Sequence, residues 1–209
     1  MKLKICGLTN LPDARYCAAA GADFLGFIRH PQSPRFVPEA DAKEIIDWIS
    51  GPETVGVYVN TASETINREV EKIGFTYVQL SGDETPEDCA QIQRPVIKGF
   101  RVSDEETAQS LRRKMEPYRA QVAFFLLDTH RAGEFGGTGA VFNWEIAREL
   151  AANFQLFLAG GLSYENAKYA ADTVRPFGLD LSSHLEEKPG IKDFDKVDAF
   201  FNVWASMQD

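Results

Sequence analysis

Eight short apolar runs, each separated from the next by enough chain for a helix, constrain this sequence more than any other feature. They lie at 3–6, 24–28, 54–59, 77–80, 96–100, 123–128, 155–159 and 177–181, so successive starts fall 19 to 32 residues apart. Helical patterns lie between them. The segment 11–20 follows Asn10 as a capping residue and has Pro12 in its first turn, and 39–49 carries Ala42, Ile45, Ile46 and Ile49 on one face. Segments 62–73 and 103–115 open with polar capping residues, and 163–171 and 192–204 continue the alternation. Strands that alternate with helices must pair in parallel through crossover connections. Eight such units in 209 residues imply an α/β chain forming a single (βα)8 barrel, a TIM barrel over 1–209, near the small end of that architecture. An open doubly wound sheet would show a Gly-rich turn after the first strand. That turn here reads Cys6-Gly7-Leu8-Thr9, which is no dinucleotide fingerprint. No linker or low-complexity stretch divides the chain.

Composition narrows the partners. The longest uninterrupted apolar run, 122–127, is far short of the roughly 20 residues that span a bilayer. Asn10, Asp13 and Arg15 interrupt any signal-peptide core, so no membrane and no secretion signal are expected. A net charge of −9 without a basic cluster disfavours nucleic acid. An anionic substrate must therefore be attracted locally, by a few Arg side chains or by backbone N–H groups. Cys6, Cys17 and Cys89 are too few and scattered for a disulfide framework, which points to a reducing cytoplasm. His30, His130 and His184 match no metal-ligand spacing, so no metal is expected.

In a parallel barrel the reactive groups sit at the carboxyl ends of the strands. The first run ends at Cys6, the sixth at Asp128, and the eighth carries Asp180 just before Ser182-Ser183. A carboxylate after four apolar residues is costly to bury unpaired, so Asp128 is a candidate functional acid, its plain alternative being a capping or ion-paired carboxylate. Cys6 is either a small buried hydrophobe or a thiol at the barrel mouth, where helix N-termini favour the thiolate. Gly160-Gly161 after the seventh run and Ser182-Ser183 after the eighth offer two converging sets of backbone N–H groups, the arrangement that holds phosphate in such barrels. The second run leads into His30-Pro31-Gln32-Ser33-Pro34-Arg35, whose prolines aim Arg35 either at a carboxylate or into solvent. The segment 129–139 holds four glycines, as a mobile lid would, and its Gly-Gly-Thr-Gly lacks the lysine of a nucleotide loop.

Together these segments resemble the phosphoribosylanthranilate isomerase family. The resemblance runs from end to end: Lys4-Ile5-Cys6-Gly7-Leu8, Ser33-Pro34-Arg35, Val78-Gln79-Leu80 with Gly82, Asp128 with Gly136-Gly137-Thr138-Gly139, Phe142-Asn143-Trp144, Leu158-Ala159-Gly160-Gly161-Leu162, and Gly178-Leu179-Asp180-Leu181-Ser182-Ser183 with Glu186, Pro189-Gly190 and Lys192-Asp193. It implies a cofactor-free Amadori rearrangement of N-(5-phosphoribosyl)anthranilate to 1-(2-carboxyphenylamino)-1-deoxyribulose 5-phosphate in tryptophan biosynthesis, by a monomer or homodimer. It further implies Asp128 as general acid on the ring oxygen and Cys6, as thiolate, as general base at C2. Arg35 would hold the anthranilate end, Asp180 would position the substrate near its nitrogen, and Gly160, Gly161, Ser182 and Ser183 would bind the phosphate.

Two positions depart from the family pattern. Ser81 stands where the family usually has His, and His184 where a Gly often follows Ser-Ser. A positive φ at 184 would strain a side chain; otherwise an imidazole there can add to phosphate binding. Two other readings remain at this point: another phosphosugar barrel enzyme, of the histidine-pathway isomerase or indole-glycerol-phosphate synthase type, or a non-catalytic barrel that keeps a phosphate site.

Overall fold

The computed structural model describes residues 1–103, 105–128 and 140–207; the glycine-bearing segment 129–139 lies outside them. Eight parallel strands close into a ring in chain order. They are β1 (Lys2–Ile5), β2 (Phe24–Ile28), β3 (Glu53–Tyr58), β4 (Tyr77–Leu80), β5 (Val96–Arg101), β6 (Phe124–Asp128), β7 (Leu156–Ala159) and β8 (Gly178–Leu181). Ring closure is the β1–β8 pairing, with Lys4 opposite Asp180 and Ile5 opposite Leu181.

The alternation of side chains along each strand creates two apolar zones. One faces the surrounding helices and holds Leu3, Ile5, Leu25, Phe27, Val78, Leu80, Leu127 and Leu179. The other fills the barrel, with Phe24, Val55, Val57, Ile97, Leu126 and Phe157. Its floor is aromatic: Phe24, Tyr77, Phe124, Phe157 and Phe177 meet edge-on or stacked, with ring centroids 4.5–6.2 Å apart. A floor packed in this way closes the barrel below and leaves its opposite rim for chemistry.

The crossovers are α1 (Leu11–Ala20), α2 (Glu39–Asp47), α3 (Ser63–Ile73), α4 (Pro86–Ala90), α5 (Ala108–Met115), α6 (Ala140–Ala151), α7 (Ala167–Val174) and α8 (Phe194–Ala205). Asn10 caps α1, accepting from the Asp13 amide, and Gly21 ends it at φ 108°. Four helices begin later than the sequence pattern indicates, among them α8, which starts at Phe194 and not at 192. The cap of α5 is Thr107, in a reciprocal capping box with Ser110, and not Ser103. Ser63, not Ala62, opens α3. Residues 163–166 form a turn before α7, in which Asn166 Oδ1 accepts from the Ser163 amide and its Nδ2 donates to the Gly161 carbonyl. A short hairpin of β9 (Glu186–Lys188) and β10 (Ile191–Lys192) between β8 and α8 has no counterpart in the sequence expectations. None of the described helices is long and apolar enough to cross a membrane.

Candidate active site

A cavity of about 270 Å³ opens at the carboxyl rim, and every residue singled out from the sequence lines it: Cys6, Arg35, Asp128, Gly160, Gly161, Asp180, Ser182 and Ser183. Strand geometry explains the convergence. Cys6 follows β1, Asp128 ends β6, and Asp180 lies inside β8, all on the inward-facing register of a ring whose β1 and β8 are hydrogen-bonded neighbours.

Beneath the rim lies a lysine that the motif reading quoted but gave no role. Lys4 precedes Cys6 by two residues and so shares its face of β1. It is wholly buried, and its Nζ donates to Asp180 Oδ1 at 3.0 Å and Oδ2 at 3.1 Å. Burial works against the ammonium, but Asp180 and the Cys6 sulfur beside it raise the Lys4 pKa above its ordinary value. A charged residue within a run otherwise fit for a barrel interior was the sequence signal that could have identified it. Gly26 on the adjacent strand makes this crowding possible. A methyl group there would stand 2.7 Å from Cys6 Sγ and 3.1 Å from Lys4 Nζ.

Burial raises the Cys6 pKa above its ordinary value and Asp180 adds to the shift, against the pull of Lys4 and Lys192. The thiolate expected at the barrel mouth thus has desolvation against it and two lysines for it. Asp180 is likewise raised, first by burial, against the lowering effect of Lys4. Cys17 and Cys89 are buried in α1 and α4, with burial pushing their thiols up to about 12 and about 11, as inert packing groups would be.

Arg35 reaches the cavity from the loop after β2, already gripped. Its Nε donates to Glu186 Oε1 and Oε2 at 2.9 and 3.0 Å, and its Nη2 to Oε2 at 2.6 Å. Among the described residues nothing accepts from the second nitrogen of the fork, Nη1. Lys192 completes the clamp, donating to Glu186 Oε1 at 3.2 Å and to the carbonyls of Cys6 and Ser182. The two cations hold the Glu186 carboxyl below its usual range despite the opposing effect of burial. Gly7, at φ 77°, lets the β1 turn approach: a methyl there would lie 2.8 Å from both Arg35 Cδ and Ser182 Oγ. Glu186 and Lys192 belong to the quoted family segments, but nothing in their local sequence pattern indicates a clamp, because it forms only when the β9–β10 hairpin folds over the rim.

After β7, Gly160 and Gly161 both adopt positive φ, 90° and 66°, which turns successive backbone amides along one concave path. Ser183–Leu185 form a short 3-10 helix after β8. Its first amides have no carbonyl one turn back to receive them. His184 lies in this helix and not at positive φ, so the departure from Gly carries no backbone strain there. Among the described residues no group of three or more His, Cys, Asp or Glu is placed to hold a metal ion.

The family model for N-(5'-phosphoribosyl)anthranilate (PRA) isomerase matches residues 3–203. The chain belongs to the PRA isomerase family. A PRA isomerase relative from Pelobacter propionicus is 42% identical over 204 residues, covering 97% of this chain and 95% of the relative. The crystal structure of the PRA isomerase from Thermotoga maritima superimposes with a TM-score of 0.87 at 37% identity, over 99% of each chain. A PRA isomerase structure in complex with reduced 1-(o-carboxyphenylamino)-1-deoxyribulose 5-phosphate matches with a TM-score of 0.86 at 35% identity, again over 99% of each chain. The activity is that of a PRA isomerase of tryptophan biosynthesis, an intramolecular oxidoreductase of the aldose–ketose type acting on a phosphorylated small molecule. The alternatives of another phosphosugar barrel and of a non-catalytic barrel give way to it.

Proposed function

We propose that the rim cavity carries out the Amadori rearrangement with Asp128 as general acid and Cys6 as general base. The observation that carries this reading is their placement: two proton-transfer groups from strands β1 and β6 line one cavity that also contains the Gly160-Gly161 and Ser182-Ser183 turns. Asp128 gives its proton to the ribose ring oxygen as the C1–O bond breaks and the anilino nitrogen lone pair forms the C1–N iminium. Cys6 sulfur then takes the C2 proton, and the electrons of that bond form the C1–C2 double bond of the enolamine. Tautomerisation moves the hydroxyl proton to C1 and leaves the ketone. The iminium is its own electron sink, so the residues present suffice for the chemistry and no cofactor enters the scheme.

Burial works against the Cys6 thiolate that the scheme uses, and the charge that develops on the substrate works for it. The iminium brings a positive charge into a cavity of low polarisability, where it acts together with Lys4 to favour the anion. Asp180 keeps lone pairs free after accepting from Lys4, and its charge lies near the substrate nitrogen. Arg35, held by Glu186, presents Nη1 to the anthranilate carboxylate. Amides of Gly160, Gly161, Ser182 and Ser183 hold the phosphate. The cell compartment that fits three free buried thiols is the cytoplasm.

Alkylation tests the location. Bound reduced 1-(o-carboxyphenylamino)-1-deoxyribulose 5-phosphate should slow modification of Cys6 by a thiol reagent at least tenfold, read by peptide mass, and leave Cys17 and Cys89 unreacted in both states. Unprotected Cys6 at saturating ligand would place the substrate elsewhere.

A further inference from the structure

Among the polar groups of the cavity that the scheme does not use is a buried side-chain amide. Gln79 sits in β4 between Val78 and Leu80, 5% exposed, and lines the same cavity as Cys6 and Asp128. Its Nε2 donates to Ser81 Oγ at 3.0 Å. Its Oε1 is buried and accepts from no group among the described residues. A buried carbonyl oxygen without a donor is costly, and such atoms occur where a ligand supplies the missing partner.

Placement says which part of a ligand reaches it. In a ring of eight strands closed in chain order, β4 is diametrically opposite β8. The phosphate turns follow β7 and β8, so Gln79 faces the other end of the substrate. The amide is neutral, so it can accept a hydrogen bond there without adding a third carboxylate beside Asp128 and Asp180. Ser81 holds one end of the amide, at Nε2, which leaves Oε1 as the end without a donor among the described residues. Gly99 on β5 makes room for that hydroxyl, since a methyl at 99 would come within 3.3 Å of Ser81 Oγ.

We infer that Gln79, oriented by Ser81, is a substrate-positioning residue whose amide accepts a hydrogen bond from an O–H or N–H donor at the end of the substrate remote from the phosphate. Ser81, one of the two residues that depart from the family pattern, thereby acquires a role in this chain: it orients the acceptor. The assignment rests on the cavity being the catalytic one.

The test uses Gln79→Met, which keeps length and volume and removes the acceptor, with Ser81→Ala, the double variant and Asp128→Ala alongside. Binding of reduced 1-(o-carboxyphenylamino)-1-deoxyribulose 5-phosphate is measured by calorimetry, with ribulose 5-phosphate as a second probe that has the hydroxyls but no anilino group. Gln79→Met should weaken binding of the reduced product about tenfold, the size of one lost buried hydrogen bond, with Tm unchanged or raised because an orphan polar atom has been removed. Ser81→Ala should weaken binding less, and should change nothing further in the Gln79→Met background. Equal weakening of both probes assigns a hydroxyl donor; weakening of the reduced product alone assigns the anilino N–H. Affinity within twofold of wild type, or a fall in Tm without a change in affinity, overturns the assignment in favour of a packing role. If Asp128→Ala retains wild-type turnover, the catalytic reading of the cavity fails; if that variant is dead and Gln79→Met binds normally, only the Gln79 assignment fails.

Discussion

Lys4 Nζ stands 3.0 and 3.1 Å from the two carboxylate oxygens of Asp180, with the lysine wholly out of solvent one layer below Cys6. A buried pair of this kind contributes little net stability but is expensive to break from one side. Lys4→Met leaves the Asp180 charge unmatched and should cost about 3–5 kcal/mol in urea unfolding. Adding Asp180→Leu should restore most of that stability without restoring turnover. A double variant no more stable than Lys4→Met would show that the pair is not the unit that folding requires.

The same lysine sets a pH dependence. Cys6 is held above its ordinary value by burial, with Lys4 pulling it down. The thiolate therefore becomes more populated as pH rises, and the rate at which a thiol reagent modifies Cys6 in the free protein should climb by up to roughly tenfold per unit between pH 7 and pH 9, the limit for loss of a single proton. In Lys4→Met the rise should move to higher pH. Identical rate profiles for wild type and Lys4→Met would contradict the pull assigned to Lys4.

Gly26 offers a steric probe of the same sulfur. A methyl at this position would sit 2.7 Å from Cys6 Sγ, too close for the thiol to keep its place. Gly26→Ala should lower kcat by about 10²-fold, as expected for an ångström-scale displacement of a reacting group, with a smaller effect on KM. Unchanged kcat would mean that the sulfur position is not critical.

The architecture was legible because its signal is local: eight strand runs with helix-sized gaps allow few other topologies. All eight strands appear within one residue of the expected bounds at each end. The rim groups were legible for the same reason, since the end of a strand locates a residue at the mouth. Helix starts were less so. Ser103 looked like a cap, but the chain runs on to Thr107, where a reciprocal capping box closes. The five-residue α4 is too short to show a period. Least legible were Lys4 paired with Asp180, Glu186 gripping Arg35, and the free end of Gln79. Each depends on partners up to 176 residues apart or on a missing partner, neither of which local pattern encodes.

The Arg35–Glu186 clamp predicts acid sensitivity. The Glu186 carboxyl is lowered below 4.5 by Arg35 and Lys192. A depressed carboxylate contributes stability that is present above its unfolded value and lost as pH falls through its folded one. The clamp's contribution should thus be intact above pH 4.5 and disappear below it. Glu186→Gln should flatten the acid limb of a Tm-against-pH curve and weaken binding of the reduced product by releasing Arg35. Wild-type and variant curves that run parallel below pH 4.5 would remove Glu186 from that limb.

The central claim is that a sulfur from β1 and a carboxyl from β6 divide the proton transfers of one rearrangement. Turnover of purified Cys6→Ala and Asp128→Ala, followed by loss of phosphoribosylanthranilate fluorescence, tests it most directly. Each variant should lose about 10²- to 10⁴-fold in kcat, the typical yield of one acid or base, with circular dichroism unchanged. Near-wild-type kcat in either folded variant would contradict the role assigned to that residue.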